Sequence, residues 1–397
     1  MTATATSSCP SASTSSTDPA AGPGAQAWAV RRLQVANVRS WERVTLDVDP
    51  GLIVVSGPNG AGKTSLVEAV TYATVGVSPR TSRDVEVVRR GSEAFHVALE
   101  LDGPGGRQSR EIGFQPGLGR RLRRDGQPAR SLGEWRASGS VLVFMPEELR
   151  AVKGPPAARR RALDRLLEGA RPGYAEALSG YLAAVSQRNA LLRRIRAGVT
   201  GVAGLAPWDR ACAELGGRVA AARRRAVADL TAPFATWLEG LGGGPGGRLD
   251  LERSPSALEG DDEAALEAAL ADLLAINRDR DIQAAQTLSG PHRDDVWIGA
   301  GDHDLRRLGS QGEQRTAVLA FLLACRDHLA RRAATPIMLL DDVLSELDPG
   351  RRRLLLGALA GHGQAWVTSA DPDAAALAAT VGAAHHLRVE GGHVHSA

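Results

Sequence analysis

The sequence predicts an α/β fold in which a mixed sheet with helices is interrupted by an inserted α-helical arm. Three observations predict it. An apolar run at 52–55 leads through a glycine-rich loop into a helical pattern, in the order strand, loop, helix. A second apolar run, at 337–340, ends in two carboxylates, as a buried parallel strand does where it opens onto a site. Between these runs, residues 155–285 are rich in alanine, leucine and arginine with helical spacing.

The glycine-rich loop reads GPNGAGKTS and has the complete G-x-x-x-x-G-K-[ST] spacing of a P-loop. Its glycines let backbone N–H groups turn inward around phosphate, and the next helix offers its free N-terminal N–H groups. The lysine is expected to contact the β- and γ-phosphates, and the threonine hydroxyl is expected to bind Mg²⁺. The candidate ATP-binding residues are Gly57, Pro58, Asn59, Gly60, Ala61, Gly62, Lys63, Thr64 and Ser65.

Composition and charge limit the classes of function. The net charge is only +3 in 397 residues, so the overall charge does not by itself argue for nucleic acid. No apolar run approaches the roughly 18 residues of a membrane span, and no membrane partner is expected. Cys9, Cys212 and Cys325 are far apart and lack ligand spacing, which predicts free thiols in a reducing cytoplasm.

Changes in composition divide the chain into four segments. Residues 1–26 are rich in Ser, Thr, Ala, Pro and Gly, which predicts a disordered tail. Residues 27–154 surround the P-loop with alternating strand patterns and form the first part of the nucleotide-binding α/β domain, called the head below. Residues 155–285 form the arm, an antiparallel helical hairpin followed by a third helix near 261–285. Residues 286–397 contribute the second part of the head.

Further motifs lie near the C-terminus. Ser310 is a candidate N-cap of a long helix, and Glu313 stands three residues on, as in a capping box. Asp341 is expected to hold Mg²⁺ beside Thr64, directly or through water. Asp342 is expected to polarise the attacking water.

The order of these motifs resembles the head of ABC-type ATPases, with a P-loop, an inserted domain, a signature helix, a Walker B strand and a D-loop. From about Val30 to Asp373 the chain resembles the RecF family of DNA replication and repair proteins. The segments that carry the resemblance are GPNGAGKTS, SPRTSRD, VFMPEELRAVKGPPAARRRALD, SQRNALL, LSGPHRDD, GSQGEQR and LLDDVLSELD.

The resemblance implies a homodimer that forms on ATP and Mg²⁺ and binds single-stranded, double-stranded or gapped DNA without sequence specificity. It also implies slow, DNA-stimulated ATP hydrolysis and help in loading recombinase, with RecO- and RecR-type partners. ATP would lie between the P-loop of one subunit and the signature turn of the other, and Asp348, in the D-loop, would lie across the interface. The signature residues implied to contact the partner's ATP are Ser310, Gln311, Gly312 and Glu313.

Some residues depart from the pattern of most ABC ATPases. The signature reads GSQGEQ and not LSGGQ, a form that RecF proteins share. Asp342 stands where most carry glutamate, and its shorter reach leaves a nucleotide-gated scaffold with negligible turnover as an alternative. No glutamine follows 141–144, where Met145 and Pro146 stand, and no histidine is seen near Thr368.

Two other ATPase classes compete with this interpretation. An SMC-like ATPase that tethers DNA would have long heptad repeats and a hinge domain, whereas this arm is short. The ATPase subunit of a membrane transporter would normally have a shorter insertion than the roughly 240 residues between P-loop and signature.

Contacts with DNA are expected to be salt-dependent and made mainly to the phosphate backbone, because no groove-reading motif is present. Arg80 and Arg83 are candidates because they follow the P-loop helix, where the nucleotide could move the loop. Lys153 is the third candidate and the only lysine besides Lys63. Most other arginine clusters are expected to be solvated helix faces.

Two weaker signals stay open. Thr368 and Ser369 end a strand and could reach the γ-phosphate as a switch, although an ordinary polar strand end is equally compatible. His292, Asp294 and Asp295 could suggest a metal site, whereas the resemblance implies a structural or signalling loop near the nucleotide-binding lobe.

Overall fold

The computed structural model describes residues 26–136, 140–145, 150–252 and 262–396. The predicted tail, residues 1–26, lies outside these residues except for Gln26, and so does Pro146. The strands are β1 (Ala29–Val38), β2 (Trp41–Asp47), β3 (Leu52–Ser56), β4 (Phe95–Gly103), β5 (Gly106–Gln115), β6 (Gly119–Arg124), β7 (Gln127–Pro128), β8 (Val141–Phe144), β9 (Gly247–Glu252), β10 (Asp295–Ala300), β11 (His303–Asp304), β12 (Ile337–Leu340), β13 (Ala365–Ser369), β14 (Ala384–Glu390) and β15 (His393–Ser396). The α-helices are α1 (Lys63–Val75), α2 (Leu132–Trp135), α3 (Arg150–Lys153), α4 (Pro156–Ala170), α5 (Tyr174–Arg196), α6 (Ala206–Gly240), α7 (Glu263–Ile276), α8 (Arg278–Ala284), α9 (Gln311–Arg332), α10 (Pro349–Leu359) and α11 (Ala374–Ala379).

A six-stranded mixed sheet, in the order β15-β14-β3-β13-β12-β8, forms the centre of the head. Strands β14, β3, β13, β12 and β8 run parallel, and only β15 is antiparallel to its neighbour. Every residue of β3, β12 and β13 is buried, which explains the apolar runs at 52–55 of β3 and 337–340 of β12. Because β13 alone separates β3 from β12, the two apolar runs of the sequence end close together. The predicted mixed sheet with helices is confirmed.

A second six-stranded sheet, in the order β2-β1-β4-β5-β6-β7, is antiparallel. Its first two strands form the ribbon that the alternating pattern predicts, with Val35 of β1 opposite Val44 of β2. The apolar face of this sheet packs with α1 in a common hydrophobic core, to which Val67 and Val70 of the helix contribute. This packing places the P-loop helix between the two sheets of the head.

The arm is built around α6, which at 35 residues is about 50 Å long. It packs against α5 as a hairpin and against α7. Glycines allow the second contact, since a Cβ at Gly216 would lie 2.5 Å from Cδ2 of Leu270 and one at Gly217 would lie 2.9 Å from the backbone nitrogen of Glu267. None of the described helices is long and apolar enough to span a membrane.

Two features of the arm differ from the sequence-based expectation. The third helix, expected near 261–285, consists of α7 and α8, which are separated at Asn277. The Asn277 side chain donates a hydrogen bond to the Leu273 carbonyl (3.0 Å), in the last turn of α7. Strand β9, which follows α6, pairs antiparallel with β10 and so joins the arm segment to the C-terminal head segment in one small sheet.

Buried ion pairs join the helices of the arm. Arg188 is fully buried and bonds Asp209 (2.7 Å) and Asp281 (2.6 Å). Arg223 makes a bidentate pair with Asp164 (2.9 and 3.0 Å). Breaking such a pair leaves a buried charge without a partner, at a cost of about 3–5 kcal/mol, so these arginines fix how the helices meet.

The loop 289–295 is a structural junction. His292 contacts the Tyr181 hydroxyl through Nδ1 (2.6 Å) and the Thr287 carbonyl through Nε2 (3.1 Å). Asp295 accepts two hydrogen bonds from Arg159 of α4 (2.5 and 2.6 Å). No group of three or more His, Cys, Asp or Glu side chains suited to a metal occurs in the described ranges. These contacts favour the structural interpretation of the loop over a metal site.

His292 is expected to make stability depend on pH. The pKa of His292 is lowered to about 4, mainly by burial; the nearby Arg293, Arg160 and Arg223 act in the same direction, and the hydrogen bond with the Thr287 carbonyl opposes them. Because the unfolded chain takes up this proton near pH 6.5, the free energy of unfolding falls as pH drops from about 6.5 towards 4, by up to about 3 kcal/mol.

Urea unfolding midpoints of the wild type and His292→Gln, measured at pH 7 and at pH 4.5, test this expectation. Glutamine keeps hydrogen-bonding capacity but does not titrate. We expect the free energy of unfolding to fall between pH 7 and pH 4.5 by about 2 kcal/mol more in the wild type than in the variant. An equal fall in both proteins would contradict the assignment of this pH dependence to His292.

Candidate nucleotide-binding site

The P-loop needs its glycines for both conformation and space. Gly57 (φ 152°), Gly60 (φ 80°) and Gly62 (φ 107°) all have positive φ. A Cβ at Gly57 would lie 2.2 Å from the Val389 carbonyl oxygen, and one at Gly62 would lie 2.8 Å from Trp41 Nε1. Trp41 Nε1 also donates a hydrogen bond to the Gly62 carbonyl (3.0 Å). The loop is therefore held between β2 and β14 as it enters α1.

The Lys63 side chain folds back onto the P-loop. Its ammonium group donates hydrogen bonds to the carbonyls of Gly57 (2.8 Å) and Pro58 (3.0 Å). Burial lowers the pKa of Lys63, and the carboxylates of Asp342 and Asp341 oppose that shift. A compact ammonium group in this position can turn from carbonyl oxygens to phosphate oxygens with little movement.

Thr64 and Asp341 meet at the carboxyl ends of the strands. The Thr64 hydroxyl lies 2.9 and 3.0 Å from the two Asp341 carboxylate oxygens, and the Thr368 hydroxyl donates to Asp341 Oδ1 (2.7 Å). Burial raises the pKa of Asp341, and these hydroxyl groups counteract it. Asp341 makes no ion pair with any described residue. A buried carboxylate beside a threonine hydroxyl supplies the oxygen ligands that Mg²⁺ prefers, so these residues fit the ion.

Asp342 has an unusual backbone conformation. Its φ of 49° lies in the left-handed region, where non-glycine residues are uncommon. Its N–H donates to the Thr368 hydroxyl (2.9 Å), and its carbonyl accepts from the Ser345 hydroxyl (2.9 Å). The Thr368 hydroxyl therefore binds both consecutive aspartates. In this structure it serves as a strand-end partner of the two carboxylate residues, and it does not point freely towards a phosphate.

The signature turn begins α9. The Ser310 hydroxyl accepts a hydrogen bond from the Glu313 N–H (3.3 Å), and the Glu313 carboxylate accepts one from the Ser310 N–H (2.7 Å), so the predicted capping box is confirmed. Leu308, just before the turn, is 72 % exposed. Among the described residues, no hydrogen bond or ion pair joins the turn to the P-loop of the same chain. Its exposed face is free to meet another molecule.

The D-loop lies close to the signature turn. Asp348 caps α10 by accepting a hydrogen bond from the Arg351 N–H (3.0 Å), and this bond lowers the pKa of Asp348. Arg351 also approaches the signature, because Arg351 Nη1 lies 3.1 Å from the position of a Cβ on Gly312. The two motifs therefore share one surface of the subunit.

Comparison with known proteins identifies the family. A family model described as an AAA domain matches residues 32–137. A protein of Acidothermus cellulolyticus (strain ATCC 43068 / DSM 8971 / 11B), named DNA replication and repair protein RecF, is 38% identical over 350 residues, which cover 86% of this chain and 94% of the relative. The chain belongs to the RecF family. A RecF protein of Moorella thermoacetica (strain ATCC 39073 / JCM 9320) is 35% identical over 87% of this chain and 90% of its own length.

Solved structures agree with the RecF assignment. A structure described as the recombination mediator protein RecF-ATP in the RecFOR pathway superimposes with a TM-score of 0.83 at 26% identity, covering 95% of this chain and 100% of that one. The head of an Smc protein bound to the C-terminal winged-helix domain of ScpA aligns with a TM-score of 0.56 at 15% identity over 93% of this chain and 96% of that one, which shows a shared fold alone.

The three predicted DNA contacts of this RecF-family chain have different surroundings. Arg80 lies 3.5 Å from Glu68 and is 40% exposed in its side chain, and Arg83 pairs with Glu86. Lys153 is exposed and has no ion pair among the described residues. The structure does not bring these side chains together by direct contact, and their role with DNA stays a prediction.

The P-loop helix carries a buried carboxylate whose role the sequence pattern does not predict. Glu68 is fully buried and accepts hydrogen bonds from Arg39 (2.7 and 2.9 Å) and from the Ser78 hydroxyl (2.6 Å). It therefore joins α1 to the β1–β2 turn and to the loop that carries Arg80. The only local signal is a charged residue on the buried side of an apolar helix, and it does not reveal the partners.

Proposed function

We propose that this chain is an ATP-dependent DNA-binding protein of recombinational repair and replication. The observation that carries the proposal is the contact between Thr64 and Asp341 beside a complete P-loop, in a chain of the RecF family. This geometry supports binding of ATP with Mg²⁺. Lys63 would bind the β- and γ-phosphates, and Thr64 and Asp341 would hold the ion, which supplies charge neutralisation at the phosphates.

ATP binding would drive formation of a homodimer. The exposed signature residues Ser310, Gln311 and Glu313, together with the half-buried Gly312, would meet the γ-phosphate side of the partner's ATP. Asp348 would cross the same interface. A helix N-terminus favours an anion because of its free N–H groups and partial positive charge. In the closed dimer the γ-phosphate would contact two helix N-termini, that of the P-loop helix of its own subunit and that of the partner's signature helix. ADP has no γ-phosphate, so the ADP state lacks this contact.

Hydrolysis would be slow and would act as a switch. Asp342 would orient and activate the attacking water, with a shorter reach than glutamate. Because the second half of each site comes from the partner, turnover requires assembly first. Loss of the γ-phosphate would remove the shared contact and open the dimer.

The DNA contact would be made to phosphates of single-stranded, double-stranded or gapped DNA. Arg80, Arg83 and Lys153 are the proposed contacts, of which Arg80 is linked to the P-loop helix through Glu68. The dimer would assist recombinase loading at gaps together with RecO- and RecR-type proteins. The family name of the relatives and the RecFOR context of the solved structures support this setting.

Fluorescence anisotropy of a labelled gapped duplex tests the proposal. We expect tighter binding with ATP than with ADP, by roughly 5- to 150-fold, the range of typical coupling energies. The logarithm of the association constant for DNA should fall linearly with the logarithm of salt concentration. Equal affinities in ATP, ADP and no nucleotide would contradict it. Lys63→Ala provides the control, because its DNA affinity should not respond to ATP.

A further inference from the structure

We propose that Arg315 is a positioning residue for the Asp342 carboxylate, acting through one buried water molecule that bridges Arg315 Nε and Asp342 Oδ1. The inference rests on the proposed function, since it assigns Asp342 to water activation. It adds a connection between the signature helix and the carboxylate of the same subunit. Arg315 lies five residues after Ser310, in the second turn of α9.

The first observation is the contact that holds the Arg315 side chain. Its guanidinium group pairs through Nη2 with the carboxylate of Glu346. Glu346 ends the short 3₁₀ turn Val343–Glu346, which directly follows Asp342 and precedes the D-loop. The ion pair leaves the Nε–H of Arg315 unused. It therefore attaches the signature helix to the segment that carries Asp342 without using every donor of the guanidinium group.

The second observation concerns two buried atoms. Arg315 Nε and Asp342 Oδ1 are both inaccessible to solvent, and neither has a hydrogen-bond partner among the described residues. Leaving a buried donor or acceptor unpaired costs about 1–3 kcal/mol each. One atom is a donor and the other an acceptor, so a single water molecule can satisfy both.

The third observation is the space between them. Arg315 and Asp342 line the same small cavity of about 10 Å³, which Phe144, Leu319 and Leu347 help to close. About 10–15 Å³ is enough for one water molecule, provided that polar partners are present. The cavity is too small for a second ligand, and its polar wall is supplied by the arginine, by Asp342 and by Glu346.

The connection has a direct consequence for the proposed dimer. The signature turn at the start of α9 would contact the partner's ATP, whereas Asp342 would act on the ATP of its own subunit. A small shift of α9 on docking would reach Asp342 through Arg315 and the bridging water. The backbone of Asp342 is already held by Thr368 and Ser345, so the bridge acts on the carboxylate itself.

Two substitutions separate the bridge from the ion pair. Arg315→Lys keeps a positive charge beside Glu346 but removes the Nε–H donor. Glu346→Gln removes the ion pair but keeps the Nε–H of Arg315. With saturating ATP and gapped DNA, we expect Arg315→Lys to lower the hydrolysis rate on the order of 10-fold without changing the Kd for ATP. Glu346→Gln should lower it less. Arg331→Lys, at an exposed position of the same helix, is the matched control.

A crystal structure of the wild type provides a readout that does not depend on turnover. We expect an ordered water about 3 Å from both Arg315 Nε and Asp342 Oδ1, and its loss in Arg315→Lys. A dry cavity would overturn the inference, as would wild-type turnover in Arg315→Lys or an equal loss in Glu346→Gln. If the wild type does not hydrolyse ATP, the proposed turnover fails, and the crystal structure alone decides whether the bridge exists.

Discussion

Lys63→Ala is expected to raise the Kd for ATP on the order of 100-fold or more. Hydrogen bonds from a charged donor contribute about 1.5–3 kcal/mol each, and Lys63 is placed to make such bonds to two phosphates. In the structure its ammonium group bonds the carbonyls of Gly57 and Pro58. The variant loses those contacts as well, so the loop itself becomes less ordered. Titration with a fluorescent ATP analogue measures the change.

The control for this prediction is Lys153→Ala. It removes the only other lysine of the chain from an exposed position outside the P-loop. ATP affinity should stay at the wild-type value in this variant. If Lys63→Ala binds ATP as tightly as Lys153→Ala does, the P-loop assignment is wrong.

Ser310→Arg is expected to abolish the ATP-dependent dimer while leaving ATP binding by the isolated subunit unchanged. The substitution places a long cationic side chain on the exposed signature turn, where the partner's ATP would dock. It also removes the N-cap hydrogen bond from Glu313 (3.3 Å), at a cost of about 1 kcal/mol. Sedimentation velocity with ATP should then give a monomer of 41.6 kDa at concentrations where the wild type doubles its mass.

Ser131→Arg separates the loss of a cap from the loss of the interface. Ser131 also caps a helix, accepting a hydrogen bond from the Glu134 N–H (3.1 Å), and it belongs to the N-terminal part of the head and not to the signature turn. We expect this variant to dimerise normally. Dimerisation by Ser310→Arg, or its loss in both variants, would contradict the shared site.

Local patterns predicted the parts of the site that depend on local chemistry. The P-loop motif is short and local, and it is enough to identify the roles of Gly57, Gly60 and Gly62. Each of them has the positive φ that the loop requires. The capping box at Ser310 follows from the same kind of short-range chemistry. Even the pairing of Thr64 with Asp341, 277 residues apart, was predictable, because both follow apolar strands that end at one edge of the sheet.

Long-range partners escaped prediction because nothing in the local sequence encodes them. Thr368 was a candidate switch or an ordinary strand end, and only the strand order β3-β13-β12 places it between two aspartates. The sequence does not distinguish Glu68 from other charged residues of helices. In the structure it is buried and bonded to Arg39, and this bond joins α1 to the β1–β2 turn. The division of the third arm helix at Asn277 depends on a side-chain bond that helical periodicity does not report.

The rate of ATP hydrolysis per subunit, measured against protein concentration with and without gapped duplex DNA, tests the central claim most directly. A site completed by the partner predicts a rate per subunit that climbs with concentration, rises further with DNA and is absent in Lys63→Ala and Ser310→Arg. A rate per subunit that is independent of concentration and DNA, and unchanged in Ser310→Arg, would contradict a nucleotide site shared between two subunits.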